Sequence, residues 1–233
     1  MEKKIYLVLA IMACIVLNAS AQFSSNGNGS SATASDNSGW NTVYVEWNPS
    51  SFVYTGKDDD DDFDGGFNGF SLGYSRAISL SSSVPLFLEP GLAGQFSFKK
   101  VEEGGSYYSF TEKISVISLK VPVNLIYKFD IPNSTVSLLP FAGLSFRGNL
   151  WGELKEEEEY DGDSDSESFN LFDKDDMDGK EKTWKRFQIG WQIGLKARFA
   201  ERFIVSGSYG TDFSEIAKKF KVHTGTVSIG YTF

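Results

Sequence analysis

The chain predicts an all-β fold, an eight-stranded antiparallel up-and-down β-barrel that crosses a membrane with strands. Three observations point there. Eight segments alternate bulky apolar with small or polar residues at period two, the pattern of a strand whose two faces meet different surroundings. The connections between these segments are short and long in turn, as in barrels with tight turns at one end and loops at the other. The last segment, Val227 to Phe233, keeps alternating up to a final aromatic residue.

Taken in order, residues 1–21 read as a secretory signal. Lys3 and Lys4 give the positive start, Ile5 to Leu17 the apolar run, and Ala19-Ser20-Ala21 the small-residue cleavage site before Gln22. The run is shorter than the roughly 20 apolar residues of a spanning helix. Cys14 lies inside it and is followed by apolar Ile15-Val16-Leu17, which argues against lipidation there. Cleavage after Ala21 removes Cys14, the only cysteine, and with it any disulfide, thiolate metal site or thiol nucleophile. Residues 22–40 are rich in Ser, Gly, Asn and Ala and read as a flexible linker.

The barrel is expected over residues 41–233. Its apolar faces run through Val43, Val45 and Trp47, then Phe70, Leu72, Tyr74 and Ile78, then Leu86, Leu88, Leu92, Phe96 and Phe98. The fourth segment carries alternate apolar residues from Ile117 to Phe129, and the fifth Val136, Leu138, Ala142, Leu144 and Phe146. The sixth, Phe187 to Phe199, alternates most cleanly. The seventh, Phe203 to Phe213, is weaker, and the eighth is the C-terminal one. These runs match the ~9–11 residues of a tilted membrane strand better than the ~5–6 typical of soluble sheets. Periodicity alone also fits a secreted barrel with its large apolar residues inside. The membrane reading is favoured because the other face is rich in Gly, Ser and Ala, suiting a narrow lumen. Trp47, Tyr74, Tyr127, Tyr209 and Tyr231 also sit near segment ends, as interface girdles do.

Short connections at 81–83, 130–134 and 200–201 are expected at one end. Long ones at 55–66, 100–111, 151–183 and 214–219 are expected at the other. The 151–183 loop holds fourteen acidic residues against four lysines. Its net charge of −10 equals that of the whole chain after residue 21, so no basic stripe remains for nucleic acid.

The alternation, loop lengths and terminal Tyr231-Thr232-Phe233 resemble small outer-membrane barrels of the OmpX/OmpA-like kind and PorT-type outer-membrane β-barrel domain proteins. The resemblance implies an outer-membrane protein with both termini periplasmic, a bilayer around it, and Tyr231 and Phe233 as the signal for the barrel-assembly machinery. It is specific for architecture rather than for function. Members of such families act as anchors, adhesion factors, secretion-system parts, small porins and occasionally enzymes.

The lumen face is expected to carry Glu46, Glu89, Lys120, Lys128, Arg147, Gln192, Lys196 and Arg198. Because buried charges need partners, these read as a paired network closing the lumen. The alternative is a narrow path that prefers anions, since cations outnumber carboxylates in this set. The single histidine, His223, shares parity with Val227 and Phe233 and is expected to face outward, away from any catalytic centre in the lumen. The acidic tracts read as solvated, self-repelling loops. Asp161, Asp163, Asp165 and Glu167, with Asp173, Asp175 and Asp178, also offer the oxygen ligands of a weak calcium site, although Ser166 and Met177 break the calcium-loop pattern. No other cofactor is expected. The leading function is therefore non-enzymatic: acidic surface loops binding cations, surface ligands or a partner protein. The alternatives are a component of a secretion or envelope-assembly machinery and a narrow low-conductance porin.

Overall fold

A computed structural model of the chain describes residues 38–55, 66–105, 107–160, 163–176, 183–217 and 219–233. The proposed signal segment, nearly all of the linker and the Asp58–Asp62 tract lie outside the described residues. The elements are β1 (Trp40–Trp47), β2 (Ser50–Tyr54), β3 (Gly66–Ser79), β4 (Leu86–Gly104), β5 (Tyr108–Tyr127), β6 (Phe129–Asp130), β7 (Val136–Tyr160), β8 (Asp163–Asn170), β9 (Phe187–Phe199), β10 (Phe203–Asp212) and β11 (Phe220–Thr232). All pairings are antiparallel, and the described residues contain no helix.

Eight strands close a ring. β1 pairs with β3 on one side and with β11 on the other, so the last strand returns to the first. β2 continues β1 in unchanged register across Asn48-Pro49, and β6 continues β5 across Lys128. Pro49 has no N–H to donate. Beside it, the buried Asn48 amide donates to Ser71 Oγ at 2.7 Å, and Asn48 Oδ1 accepts from Thr226 Oγ1 at 3.0 Å. Asn48 thereby ties β3 to β11 where the ladder is interrupted. At the other end Asn41 and Phe233 exchange backbone hydrogen bonds of 3.1 and 3.0 Å.

The outer face is apolar. Val43, Val45, Trp47, Phe70, Leu72, Phe96, Ile117, Leu144, Ile193, Val227 and Ile229 are all exposed. The five expected girdle aromatics, Trp47, Tyr74, Tyr127, Tyr209 and Tyr231, point outward with them. Inside lie two apolar layers. Trp40, Ala77, Phe87, Ile126, Leu139, Phe141 and Ile204 fill the barrel near the termini. A second cluster near the long hairpins contains Phe67, Ile114, Val116, Leu154, Leu171, Trp184, Ile216 and Val222.

Three boundaries differ from expectation. Trp40, placed in the linker by its composition, opens β1, packs tilted against Phe87 at 4.7 Å between ring centroids and lies under the Arg198 guanidinium at 4.4 Å. The connection expected at 100–111 is mostly hairpin, because β4 and β5 stay paired to Gly104 and Ser109. The acidic connection expected at 151–183 is also largely strand. β7 runs on to Tyr160 and β8 pairs back along it from Tyr160↔Asp163 to Glu153↔Asn170. A strand sends neighbouring carboxylates to opposite faces and spaces those on one face by ~7 Å, while Glu156 meets Glu112 and Glu167, and Glu158 meets Asp165, directly across the ladder.

The short turns all sit at the terminal end. In the turn joining β9 to β10, Ala200 and Glu201 have φ of 48° and 59°, and Arg202 N donates to Phe199 O at 3.0 Å. Positive φ at both central positions suits Asn-Gly and costs other L-residues about 1–2 kcal/mol each. Replacing Ala200→Asn alone, which keeps the Glu201 carboxylate near Arg198, is therefore expected to stabilise the barrel by up to about 1 kcal/mol. A rise in the urea midpoint of unfolding in detergent micelles is the check.

Candidate functional site: a paired lumen network and an acidic sheet

Between the two apolar layers the lumen is polar. The inward parity of each strand places Glu46 on β1, Glu89 on β4, Lys120 and Asn124 on β5, Arg147 on β7, and Gln188, Gln192 and Lys196 on β9. Lys120 Nζ lies 3.4 Å from Glu46 Oε2, and Lys196 bonds Glu89. Asn124 Nδ2 donates to Glu89 Oε1 at 3.5 Å, and Gln192 Nε2 donates to Asn124 Oδ1 at 2.6 Å. Arg147 donates to Gln188 Oε1 at 2.8 Å and pairs with Asp212.

Asp212 is missing from the sequence-based set, yet it shares parity with Ser206, Ser208 and Gly210 on the lumen face of β10. Its inclusion narrows the expected cation excess from five against two to five against three. Nearer the terminal rim, Lys128 pairs with Asp130 at 3.1 Å, and Arg198 reaches Glu201 at 3.8 Å. Each of the five cations expected in the lumen thus has a carboxylate within 4 Å.

A cavity of about 30 Å³ lies among Phe52, Phe67, Gln95, Arg147, Asn149 and Trp184, within the far apolar layer, and two more lie below it. One cavity of about 30 Å³ lies among Gln95, Lys120, Arg147, Gln192 and Asp212, and another of about 30 Å³ among Glu46, Glu89, Asn124 and Lys196. Each has room for about one water molecule. Tyr44 fills the wall opposite: a Cβ added to Gly73 would sit 2.5 Å from the Tyr44 ring, so glycine is required for this approach. The inward residues Phe87, Ile126, Leu139 and Phe141 escaped the sequence reading because only polar residues were sought on the lumen face. Parity flags them all the same, since Ile126 falls between Asn124 and Lys128.

Beyond the apolar belt, β4, β5, β7 and β8 continue as a four-stranded sheet. Leu150 of β7 is the extra residue of a bulge opposite the Ile117–Ser118 step of β5, and it shifts the register by one residue. Bulges re-aim the side chains that follow them. Here Leu150 and Trp151 are both exposed, Leu154 turns inward and Lys155 turns outward.

Cross-strand rows then define two faces. The face continuous with the lumen begins with Ile114, Leu154 and Phe169. Above them stand the rows of Glu112, Glu156 and Glu167, then of Glu103, Phe110, Glu158 and Asp165. Burial first, and then Glu156 and Glu103, raise the Glu112 pKa against an opposing effect of Lys99. The opposite face begins with the row Lys100, Lys113 and Lys155. Lys113 at 2.6 Å and Lys155 at 2.7 Å clasp Glu157, and these hydrogen bonds pull its pKa down to about 2.

The suggested calcium ligands are not gathered. Asp163, Asp165 and Glu167 occupy alternate positions of β8, ~7 Å apart along the strand, whereas calcium ligands converge at ~2.3–2.6 Å from one ion. Among the described residues no three His, Cys, Asp or Glu side chains lie close enough to share a metal. Asp173 and Asp176 instead accept from the backbone N–H groups of Asp175 and Asn170 at 3.0 and 3.1 Å. Asp161 and Asp178 lie outside the described residues. Tyr231 and Phe233 point outward, Tyr231 in an edge contact with Phe203 at 5.6 Å. His223 also faces outward, bonded to the Tyr209 hydroxyl.

A closed antiparallel ring with an apolar belt outside and paired charges inside defines an integral membrane β-barrel. The chain belongs to the outer membrane protein β-barrel domain family, whose model matches residues 8–233. It is therefore an outer-membrane protein. No curated protein matches it. Among solved structures, Ail, the attachment invasion locus protein of Yersinia pestis, is 18% identical, with a TM-score of 0.42, over 84% of this chain and 99% of that one. The N-terminal β-barrel domain of Pseudomonas aeruginosa OprF is 14% identical, with a TM-score of 0.35, over 84% and 100%. The outer membrane enzyme PagL is 10% identical, with a TM-score of 0.43, over 81% and 97%.

Two outcomes are expected. Glu89→Leu leaves Lys196 buried without its carboxylate and should cost about 3–5 kcal/mol, whereas Glu89→Leu with Lys196→Leu should cost distinctly less. Urea unfolding of both variants in micelles measures the difference. Because the Glu157 pKa is depressed, its contribution is complete above the ordinary value of roughly 4.3 and is lost only as pH falls through about 2. An NMR titration of the Glu157 carboxyl should give that midpoint, and Lys113→Gln should raise it.

Proposed function

We propose that this is a non-enzymatic, non-conducting outer-membrane barrel that holds an acidic β-sheet above the membrane as a docking face for a basic partner protein. In this reading the termini and short turns are periplasmic and the extended sheet is external. The observation that carries it is the unbroken pairing of β5 with β7 from the membrane belt out to Tyr108↔Tyr160, with β4 and β8 alongside. A disordered acidic loop attracts cations diffusely, whereas a sheet fixes carboxylates in rows with aromatic neighbours at Tyr108, Phe110 and Tyr160. Such a surface suits a partner with ordered Lys or Arg side chains. The paired charges between two apolar layers support a closed lumen, and the outward His223 supports the absence of catalysis.

Deleting residues 156–167 removes the acidic extension but keeps Leu154, Phe169 and Leu171 in the inner cluster. The intact protein should retain basic envelope proteins at low salt and release them as salt approaches ~0.5 M, since screening shortens the range of these charges. The deletion variant should retain none. An unchanged set of captured proteins would favour an envelope-assembly role carried by the barrel itself. In planar bilayers the intact protein should give no stable open channel, and a large steady conductance would favour the porin reading.

A further inference from the structure

Glu89 Oε2, Thr42 Oγ1 and Ser75 Oγ are buried in the lumen without a hydrogen-bond partner among the described residues. Their residues are 2%, 4% and 2% exposed. The fold puts all three in one corner of the barrel. Thr42 of β1 stands directly across from Ser75 of β3, and Ser75 directly across from Gly91 of β4. Glu89 lies two residues from Gly91 on the same inward face of β4, a diagonal position that long side chains reach. Thr42 and Glu89 both line the cavity of about 30 Å³ that also meets Tyr44, Glu46 and Lys196.

A buried polar group left unbonded costs more than a typical hydrogen bond contributes, so three in one corner call for a shared partner. The charges of the wall decide its class. Glu89 bonds Lys196, and Glu46 lies 3.4 Å from Lys120. Two lysines therefore already balance the two carboxylates, and no net negative charge remains to select a cation. The unbonded groups are one acceptor, the carboxylate oxygen, and two hydroxyls that donate or accept. A neutral molecule that does both satisfies all three, and the volume admits about one water. One water reaches between oxygens up to ~5.5 Å apart, two hydrogen-bond lengths.

We propose that this cavity binds a long-lived water, which donates to Glu89 Oε2 and bonds the Thr42 and Ser75 hydroxyls. The water joins β1, the strand that closes the ring, to β4 across β3. It also orients the Glu89 carboxylate, so that Oε1 stays turned to Lys196. The site lies in the lumen and does not rest on the docking reading.

Oxygen-17 magnetic relaxation dispersion of the intact protein in micelles counts its long-lived waters, and urea unfolding reads their contribution. Thr42→Val with Ser75→Ala removes both hydroxyls and little else. This double variant should hold one long-lived water fewer than the intact protein and should unfold at lower urea. Thr42→Ser, which keeps a hydroxyl, should hold the same number as the intact protein. Folding of each variant is read from its distinct migration on gels without heating, and Thr42→Val alone replaces the double variant if the latter does not fold. An unchanged water count on losing the hydroxyls would overturn the proposal. So would a higher urea midpoint, because removing hydroxyls that nothing bonds relieves a penalty instead of losing a bond. A midpoint of the intact protein higher in sodium chloride than in choline chloride at equal ionic strength, a difference absent from the double variant, would give the cavity to a cation and overturn it too.

Discussion

Closure of the sheet between β1 and β11 is the constraint on which the other features depend. Hydrocarbon offers no partner to a backbone N–H or C=O, so strands cross a membrane only when both edges of the sheet are paired with each other. The register Thr42↔Thr232 to Trp47↔Val227 does this, and Asn41 and Phe233 complete it at the terminal rim. Once the ring is closed, every outward position faces lipid and every inward position faces a narrow lumen. The alternation of each strand is then tied to one solvent on each side. Asn48 shows how strict the demand is: where Pro49 cannot donate, a buried side-chain amide joins the two neighbouring strands.

The same closure forces the lumen to be filled. Eight strands leave an interior just wide enough for side chains, and charges placed there without water require partners. Pairing Lys120 with Glu46, Lys196 with Glu89 and Arg147 with Asp212 satisfies them near neutrality. Apolar layers lie on either side of these pairs. Trp40, Phe87 and Leu139 close the terminal end, while Trp184, Leu171 and Ile216 are brought in from connections to close the far end. The far layer also anchors the base of the extended sheet, since Ile114 and Leu154 belong to both. Rigidity of the barrel is thus passed to the surface that stands above it.

The alternation of the sequence determined the membrane-facing wall, the eight-strand count and the inward direction of Glu46, Glu89, Lys120, Arg147 and Lys196. A period of two is a local property of the chain, and the only ambiguity it leaves is which face is wet. The rest depended on partners distant in sequence. The one-residue bulge at Leu150 exists only against β5, and it reverses the direction of every β7 side chain beyond it, turning Lys155 out and Leu154 in. The acidic run reads as a repelling loop when its neighbours are counted along the chain. In the fold it is a strand paired to β5 and β8, with Lys113 and Lys155 clasping Glu157. Asp212 acquires its role only when β10 and β7 pair on either side of β9 and bring it to Arg147, and Trp184 acquires its role only when its connection folds over the lumen. Sequence fixes periodicity because adjacent residues share one backbone, whereas register, bulges and plugs are set by contacts between strands that come together only when the barrel closes.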